Sequence, residues 1–212
     1  MPFQHLIWDF DGTLFDTYPA INASVCDALA EHGVKVDPEF VADLLVETLG
    51  FCIETLAMQH DLDPEQLRER TDEIRSAVPL SERPPFEGAM RICRRAQEDG
   101  RQNHIVTHRV RDSLMSYLTL YKVDGLFADI ITADDGYPRK PNPASIVALI
   151  DRNKIPRVEA LYIGDRKLDV LAAQKAGIKA CLYSHRTPDG FSPDFQVVEF
   201  DELWPILELD PV

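Results

Sequence analysis

The stretch His5-Leu6-Ile7-Trp8-Asp9-Phe10-Asp11-Gly12-Thr13-Leu14-Phe15-Asp16 decides how the rest of the chain is read. The apolar run from Phe3 to Phe10 has the composition of a buried strand, bounded by a turn signal at Gly12. It ends in two carboxylates two residues apart. Burying a carboxylate is expensive unless a cation or hydrogen bonds compensate, so Asp9 and Asp11 mark a candidate active site. The two carboxylates could divide the labour of a reaction: Asp9, held ionised by a cation, could attack, and Asp11 could carry a proton. An ordinary Asp titrates at about 3.9, so an acid at Asp11 requires burial or a neighbouring charge to raise it. Gly12 permits a tight turn, and the Thr13 hydroxyl can hydrogen-bond the loop. The same stretch also fits a plain strand that ends in a polar turn, with Asp serving only as a cap.

Composition narrows the classes. The 212 residues are 45% hydrophobic and 27% charged, ordinary for a globular protein, with a formal charge of -14. Nucleic acid and anionic membrane both need a basic footprint, so neither is an expected partner. No apolar run approaches the roughly 20 residues of a membrane helix. No basic segment followed by an apolar one opens the chain, so no signal peptide is expected. Cys26, Cys52, Cys93 and Cys181 lie far apart with no C-x-x-C, which suits reduced thiols and a cytoplasmic location. Between Thr17 and Pro84, 14 acidic residues face 5 basic ones, a net of -9, so that segment carries most of the net charge of -14.

Two modules are expected. After Asp16 the spacing turns helical. Ile21, Val25, Ala28 and Leu29 share a face ended by Gly33; Asp37-Pro38 and Asp63-Pro64 start further helices. Residues 17–84 therefore read as an all-helical insert. From Phe86 strands alternate with helices: strands around His104–Val106, Ile130–Ile131, Ala160–Ile163 and Ala180–Tyr183, a further one at Phe195–Val198, and helices between them and after the last. The predicted fold is α/β, a Rossmann-like parallel sheet built from residues 1–16 and 85–212, with the helical segment inserted after the first strand. Sheets of this kind place their ligands at the carboxyl ends of the strands.

The first four of those strands lead into polar residues: Asp9 and Asp11; Thr107-His108-Arg109; Asp134-Asp135 followed by Arg139-Lys140-Pro141-Asn142-Pro143; and Gly164-Asp165 with Asp169 four residues on. Carboxylates without thiols suit Mg²⁺ better than zinc. A hydroxyl and a lysine suit the oxygens of a phosphoryl group. Taken singly, each has an ordinary alternative: packing at Thr107, a surface lysine at Lys140, helix caps at Asn142 and Asp165, a solvated Asp169.

The motifs D-F-D-G-T-L-F-D-T, T-H-R, R-K-P-N-P and G-D-R-K-L-D-V-L-A-A-Q-K-A-G, in this order, resemble the four motifs of the haloacid dehalogenase superfamily. The helical insert after the first motif resembles the cap of its phosphoglycolate phosphatase-like and β-phosphoglucomutase-like branch. The resemblance implies an Mg²⁺-dependent phosphatase acting on a small phosphorylated metabolite through an aspartyl-phosphate. Asp9 would be the nucleophile and Asp11 the general acid and base. Thr107 and Lys140 would hold the phosphoryl group. Asp9, the Asp11 carbonyl, Asp165 and Asp169 would surround the metal. A monomer or homodimer is expected.

Three positions depart from the family pattern. His108-Arg109 follows Thr107, Arg166-Lys167 follows Asp165, and Arg139 precedes Lys140. His108 is either a further donor to the substrate or a helix-start residue. The stretch Thr48-Leu49-Gly50-Phe51-Cys52 resembles the cap loop that touches the leaving group. It is uncharged, so Gly50 and Phe51 predict a small or partly apolar leaving group. A β-phosphoglucomutase-type phosphomutase is the alternative activity, although the insert is poor in the cations a second phosphate needs. A non-catalytic phosphate-binding relative is the remaining reading.

Overall fold

The computed structural model describes residues 3–186 and 190–211. The chain divides into two compact units, Asp16–Pro84 and the pair of segments Met1–Phe15 and Pro85–Val212.

The Asp16–Pro84 unit holds four helices: α1 (Tyr18–Glu31), α2 (Pro38–Leu45), α3 (Leu49–His60) and α4 (Pro64–Ala77). Their starts are written in the sequence. Asp37 accepts from the Glu39 N–H at 2.9 Å, and Asp63 accepts from the Glu65 and Gln66 N–H groups at 2.8 and 3.0 Å. In both cases proline follows, at a position whose N–H has no helical partner anyway. Val25, Leu29, Val41, Leu45, Ile53, Leu56 and Leu67 form the buried core of this unit. One expectation is corrected here. Residues 49–52 are not a loop but the first turn of α3, because the Thr48 hydroxyl caps it by accepting from the Phe51 N–H at 2.9 Å. Gly50 lies within that turn and Phe51 is exposed.

The other unit is built on a six-stranded parallel sheet: β1 (His5–Trp8), β2 (Gln102–Val106), β3 (Phe127–Ile131), β4 (Ala160–Gly164), β5 (Lys179–Tyr183) and β6 (Phe195–Val197). The order across the sheet is β3-β2-β1-β4-β5-β6. Helices α5 (Glu87–Glu98), α6 (Arg111–Leu120), α7 (Ala144–Asn153) and α8 (Lys167–Lys175) alternate with the strands, and a short α9 (Leu203–Leu207) follows β6. Ile7, Tyr162 and Leu182 from the strands pack with Ile146, Leu149, Ile150 and Val170 from the helices into one apolar layer. Strands buried in this way need no polar alternation, which is why they appear in the sequence as short apolar runs.

The strand order places β1 at the centre and reverses direction between β1 and β4, the switch point at which such sheets open a crevice. Trp8 pairs with Ile163, and the Asp9 N–H still donates to the Ile163 carbonyl at 2.9 Å. The carboxyl ends of β1 and β4 thus lie side by side. The β1 strand is shorter than its apolar run. Phe10 leaves the sheet and stacks on Phe15 at 4.5 Å, with Tyr117 edge-on to both. Gly12, at φ 75°, makes the turn between them. Among the described residues no helix is long and apolar enough to cross a membrane, and the four cysteines are free thiols.

Candidate active site

Asp9 follows the last residue of β1 and is 1% exposed. Lys140, from the segment between β3 and α7, reaches it across 131 residues of sequence. Its Nζ donates to Asp9 Oδ1 at 2.8 Å, to Asp169 Oδ1 at 2.5 Å and to the Tyr162 hydroxyl at 2.8 Å. Tyr162 in turn donates to the Val106 carbonyl at 3.0 Å. Burial works against the ammonium, but Asp169 and Asp9 outweigh it and hold Lys140 well above the usual lysine range. Burial also pushes Asp9 up, opposed by Lys140 and Arg166.

Asp169 sits in the first turn of α8, wholly buried. Its Oδ2 accepts from the Arg166 N–H at 3.1 Å. The space it fills is left open by Gly164, where an added Cβ would stand 2.6 Å from the Cβ of Asp169. Carboxylate oxygens of Asp9, Asp165 and Asp169 lie within 4.8 Å of one another. Thr13 donates to Asp165 Oδ1 at 3.1 Å, and Arg166 Nη2 lies 3.4 Å from Asp9 Oδ2. The donors are carboxylate oxygens, the hard set that a divalent cation of the Mg²⁺ type prefers, with Lys140 and Arg166 setting two positive charges against three carboxylates. These residues fit such an ion.

The remaining predicted residues fall into distinct places. Thr107 follows the last residue of β2, is buried, and its hydroxyl accepts from the Arg109 N–H at 3.1 Å. His108 Nε2 accepts from the Lys140 backbone N–H at 2.7 Å, which requires a neutral ring. Burial and the charges of Lys140 and Arg139 lower its pKa to about 3. The Asp11 carboxylate is not in the cluster of three; it is gripped by Arg109 and partly exposed, so it has a cation beside it and not the burial or negative charge expected from the sequence for an acid. Asp134 and Asp135, next to the third strand end, engage Arg111 instead. Asp134 accepts from its N–H at 2.6 Å and Asp135 from its Nη2 at 3.0 Å. Gly50 and Phe51 belong to the helical unit.

Residues 6–183 match the family model described as haloacid dehalogenase-like hydrolase. The chain belongs to this family. A protein of Halalkalibacterium halodurans named pyrophosphatase PpaX is 26% identical over 222 residues, covering 98% of each chain. A phosphoglycolate phosphatase of Aliivibrio fischeri is 27% identical over 220 residues, covering 96% of each. Among solved structures, a hydrolase from Streptococcus pneumoniae TIGR4 is 28% identical, with a TM-score of 0.68, covering 98% of this chain and all of that one.

Three residues of this haloacid dehalogenase-like hydrolase stand close to the carboxylates and were not singled out from sequence as site residues. Tyr162 was legible only as an apolar strand residue, because nothing local marks its hydroxyl as the partner of a lysine 22 residues away. Arg109 and Arg166 stood out only as departures from the motif. Their signal was there: an arginine one or two residues after the Thr or Asp that follows a strand leaves the sheet where carboxylates gather.

Proposed function

We propose that this hydrolase is an Mg²⁺-dependent phosphatase of small phosphorylated metabolites. The observation that carries the reading is the buried Lys140 ammonium between Asp9 and Asp169, beside the switch point of the sheet. A lysine fixed there neutralises a nucleophilic carboxylate, and its positive charge would favour the oxygens of a phosphoryl group brought to Asp9. Asp9 would attack phosphorus. As the Asp9 O–P bond forms, the P–O bond to the leaving group breaks, and Asp11 would deliver its proton to the departing oxygen. Water would then attack the aspartyl-phosphate, with Asp11 taking the proton, and phosphate would leave. Thr107 is the proposed hydroxyl donor to the phosphoryl oxygens. Its Oγ1 keeps its proton free for this while accepting from Arg109. His108 supports Lys140 through the backbone and is a proposed neighbour of the substrate rather than a charged ligand of it.

Asp9, Asp165 and Asp169, with the Asp11 carbonyl, are the proposed holders of Mg²⁺, which when bound supplies positive charge for the phosphoryl oxygens. The helical unit is the proposed cap, with Gly50 and Phe51 in contact with the leaving group. The names of the relatives supply two substrates to try first, pyrophosphate and phosphoglycolate, and sugar phosphates belong in the same panel.

Phosphate release from p-nitrophenyl phosphate, with and without Mg²⁺, tests the reading. Release is expected from the parent protein with Mg²⁺ and not from Asp9→Asn. Activity retained in Asp9→Asn would remove the nucleophile assignment. Exchange of Phe51 for Ala should change relative rates across the substrate panel; an unchanged ranking would remove the cap assignment.

A further inference from the structure

Arg109 is the most heavily secured cation near the carboxylates after Lys140. Its Nε and Nη2 donate to both oxygens of Asp11, at 3.3 and 2.5 Å. Its Nη1 donates to Ser113 Oγ at 2.8 Å. The guanidinium carbon lies 5.2 Å from the Phe10 ring centre and 4.9 Å from that of Tyr117. Its own N–H donates to Thr107 Oγ1, and its carbonyl accepts from the Ala133 N–H at 3.0 Å. The side chain is 10% exposed. A planar fork held at its third nitrogen and between two rings has one orientation, and it transmits that orientation to whatever it grips.

With Asp11 taken as the acid/base, as proposed above, we infer that Arg109 is its positioning residue in the acid step, orienting the carboxylate toward the leaving-group oxygen. It acts through Asp11 and does not touch the phosphoryl group. The Phe10–Phe15–Tyr117 cluster and Ser113 are then the support of the fork. An ion pair that merely ties the β1 turn to α6 is the competing role.

A double-mutant cycle separates the two roles. Initial rates are measured with glycerol phosphate, whose alkoxide needs a proton, and with p-nitrophenyl phosphate, whose phenolate does not. Arg109→Gln is expected to lower kcat on glycerol phosphate by about 10²-fold, the usual consequence of misplacing a catalytic group. The loss on p-nitrophenyl phosphate should be smaller, with KM for both unchanged. In an Asp11→Asn background the same substitution should cost nothing further. Equal losses on the two esters, a raised KM, or a full additional loss in the Asp11→Asn background would overturn the inference while leaving the acid/base reading intact. Parent-level kcat in Asp11→Asn would instead remove the acid/base reading itself. Should Arg109→Gln fail to fold, Arg109→Lys keeps the charge but loses the fork. Selective loss on glycerol phosphate then supports positioning, and parent-level kcat overturns it.

Discussion

Lys140 carries its charge where an isolated ammonium would give up its proton. Its side chain is fully buried, and Asp169 and Asp9, with a smaller contribution from Tyr162, keep it ionised. The sign of the linkage follows. A lysine raised in the folded state stabilises the protein at every pH below its unfolded value of about 10.4, and the contribution is lost only as pH rises through the higher folded value. Lys140 therefore adds no pH dependence to stability between pH 5 and 9 (roughly the working range of most enzymes). Removing it is another matter. Lys140→Met leaves Asp9 and Asp169 buried without their shared ammonium, and breaking one partner out of a buried pair costs about 3–5 kcal/mol. Urea unfolding at neutral pH should show a loss of this size, accompanied by loss of phosphate release. Lys140→Arg should not restore activity, because a planar fork cannot donate from one nitrogen to Asp9, Asp169 and Tyr162 together.

Two glycines test how elements are held together, and they should separate stability from activity. Gly88 in α5 faces Phe200, whose Cβ would stand 2.7 Å from an added methyl. Gly164 at the end of β4 faces Asp169 at 2.6 Å. Overpacking of this kind costs about 1–3 kcal/mol. Gly88→Ala and Gly164→Ala are both expected to lower the unfolding midpoint by that amount. Only Gly164→Ala should also lower kcat, since it pushes Asp169 off Lys140. Equal kcat values in the two folded variants would contradict this. The elements themselves were largely legible in the sequence from Glu87 onward, because each strand is a short β-branched or apolar cluster and helices stop at Gly100 and Gly177. The ends were less so. The run Phe3–Phe10 overstates β1 because Phe10 is apolar for a different reason, its stack on Phe15. The stretch Thr48–Cys52 read as a loop, yet the Thr48 cap starts α3 within it. In the candidate site, Asp9 and Asp165 were legible as charges directly after strands, and Lys140 and Asp169 only from their places in the motifs. The grip of Arg109 on Asp11 was not, since its partners lie 98 residues apart and no local pattern encodes such a pair.

At the scale of the whole molecule the balance of -14 sets the terms for any cation. Self-repulsion weakens a compact state with this much like charge, so any salt should raise the melting temperature somewhat, and Mg²⁺ must be distinguished from screening. The three carboxylates brought within 4.8 Å of one another give a specific term to look for. An ion that binds only the folded state stabilises by RT ln(1 + [L]/Kd), about 2.7 kcal/mol at one hundred times Kd. For a chain of this size each kcal/mol moves the midpoint by about 2–4 °C. Mg²⁺ should therefore raise the melting temperature by several degrees beyond NaCl of matched ionic strength, and EDTA should return it to the NaCl value. Asp165→Asn keeps the Lys140 cluster and the Asp9 and Asp169 carboxylates while taking one charge from the set. In that variant the excess over NaCl should shrink markedly, and its stability without Mg²⁺ should stay near or above that of the parent, because one of three mutually repelling carboxylates is gone. A shift that NaCl reproduces, or one that persists undiminished in Asp165→Asn, would place the cation on the acidic surface at large instead of between β1 and β4.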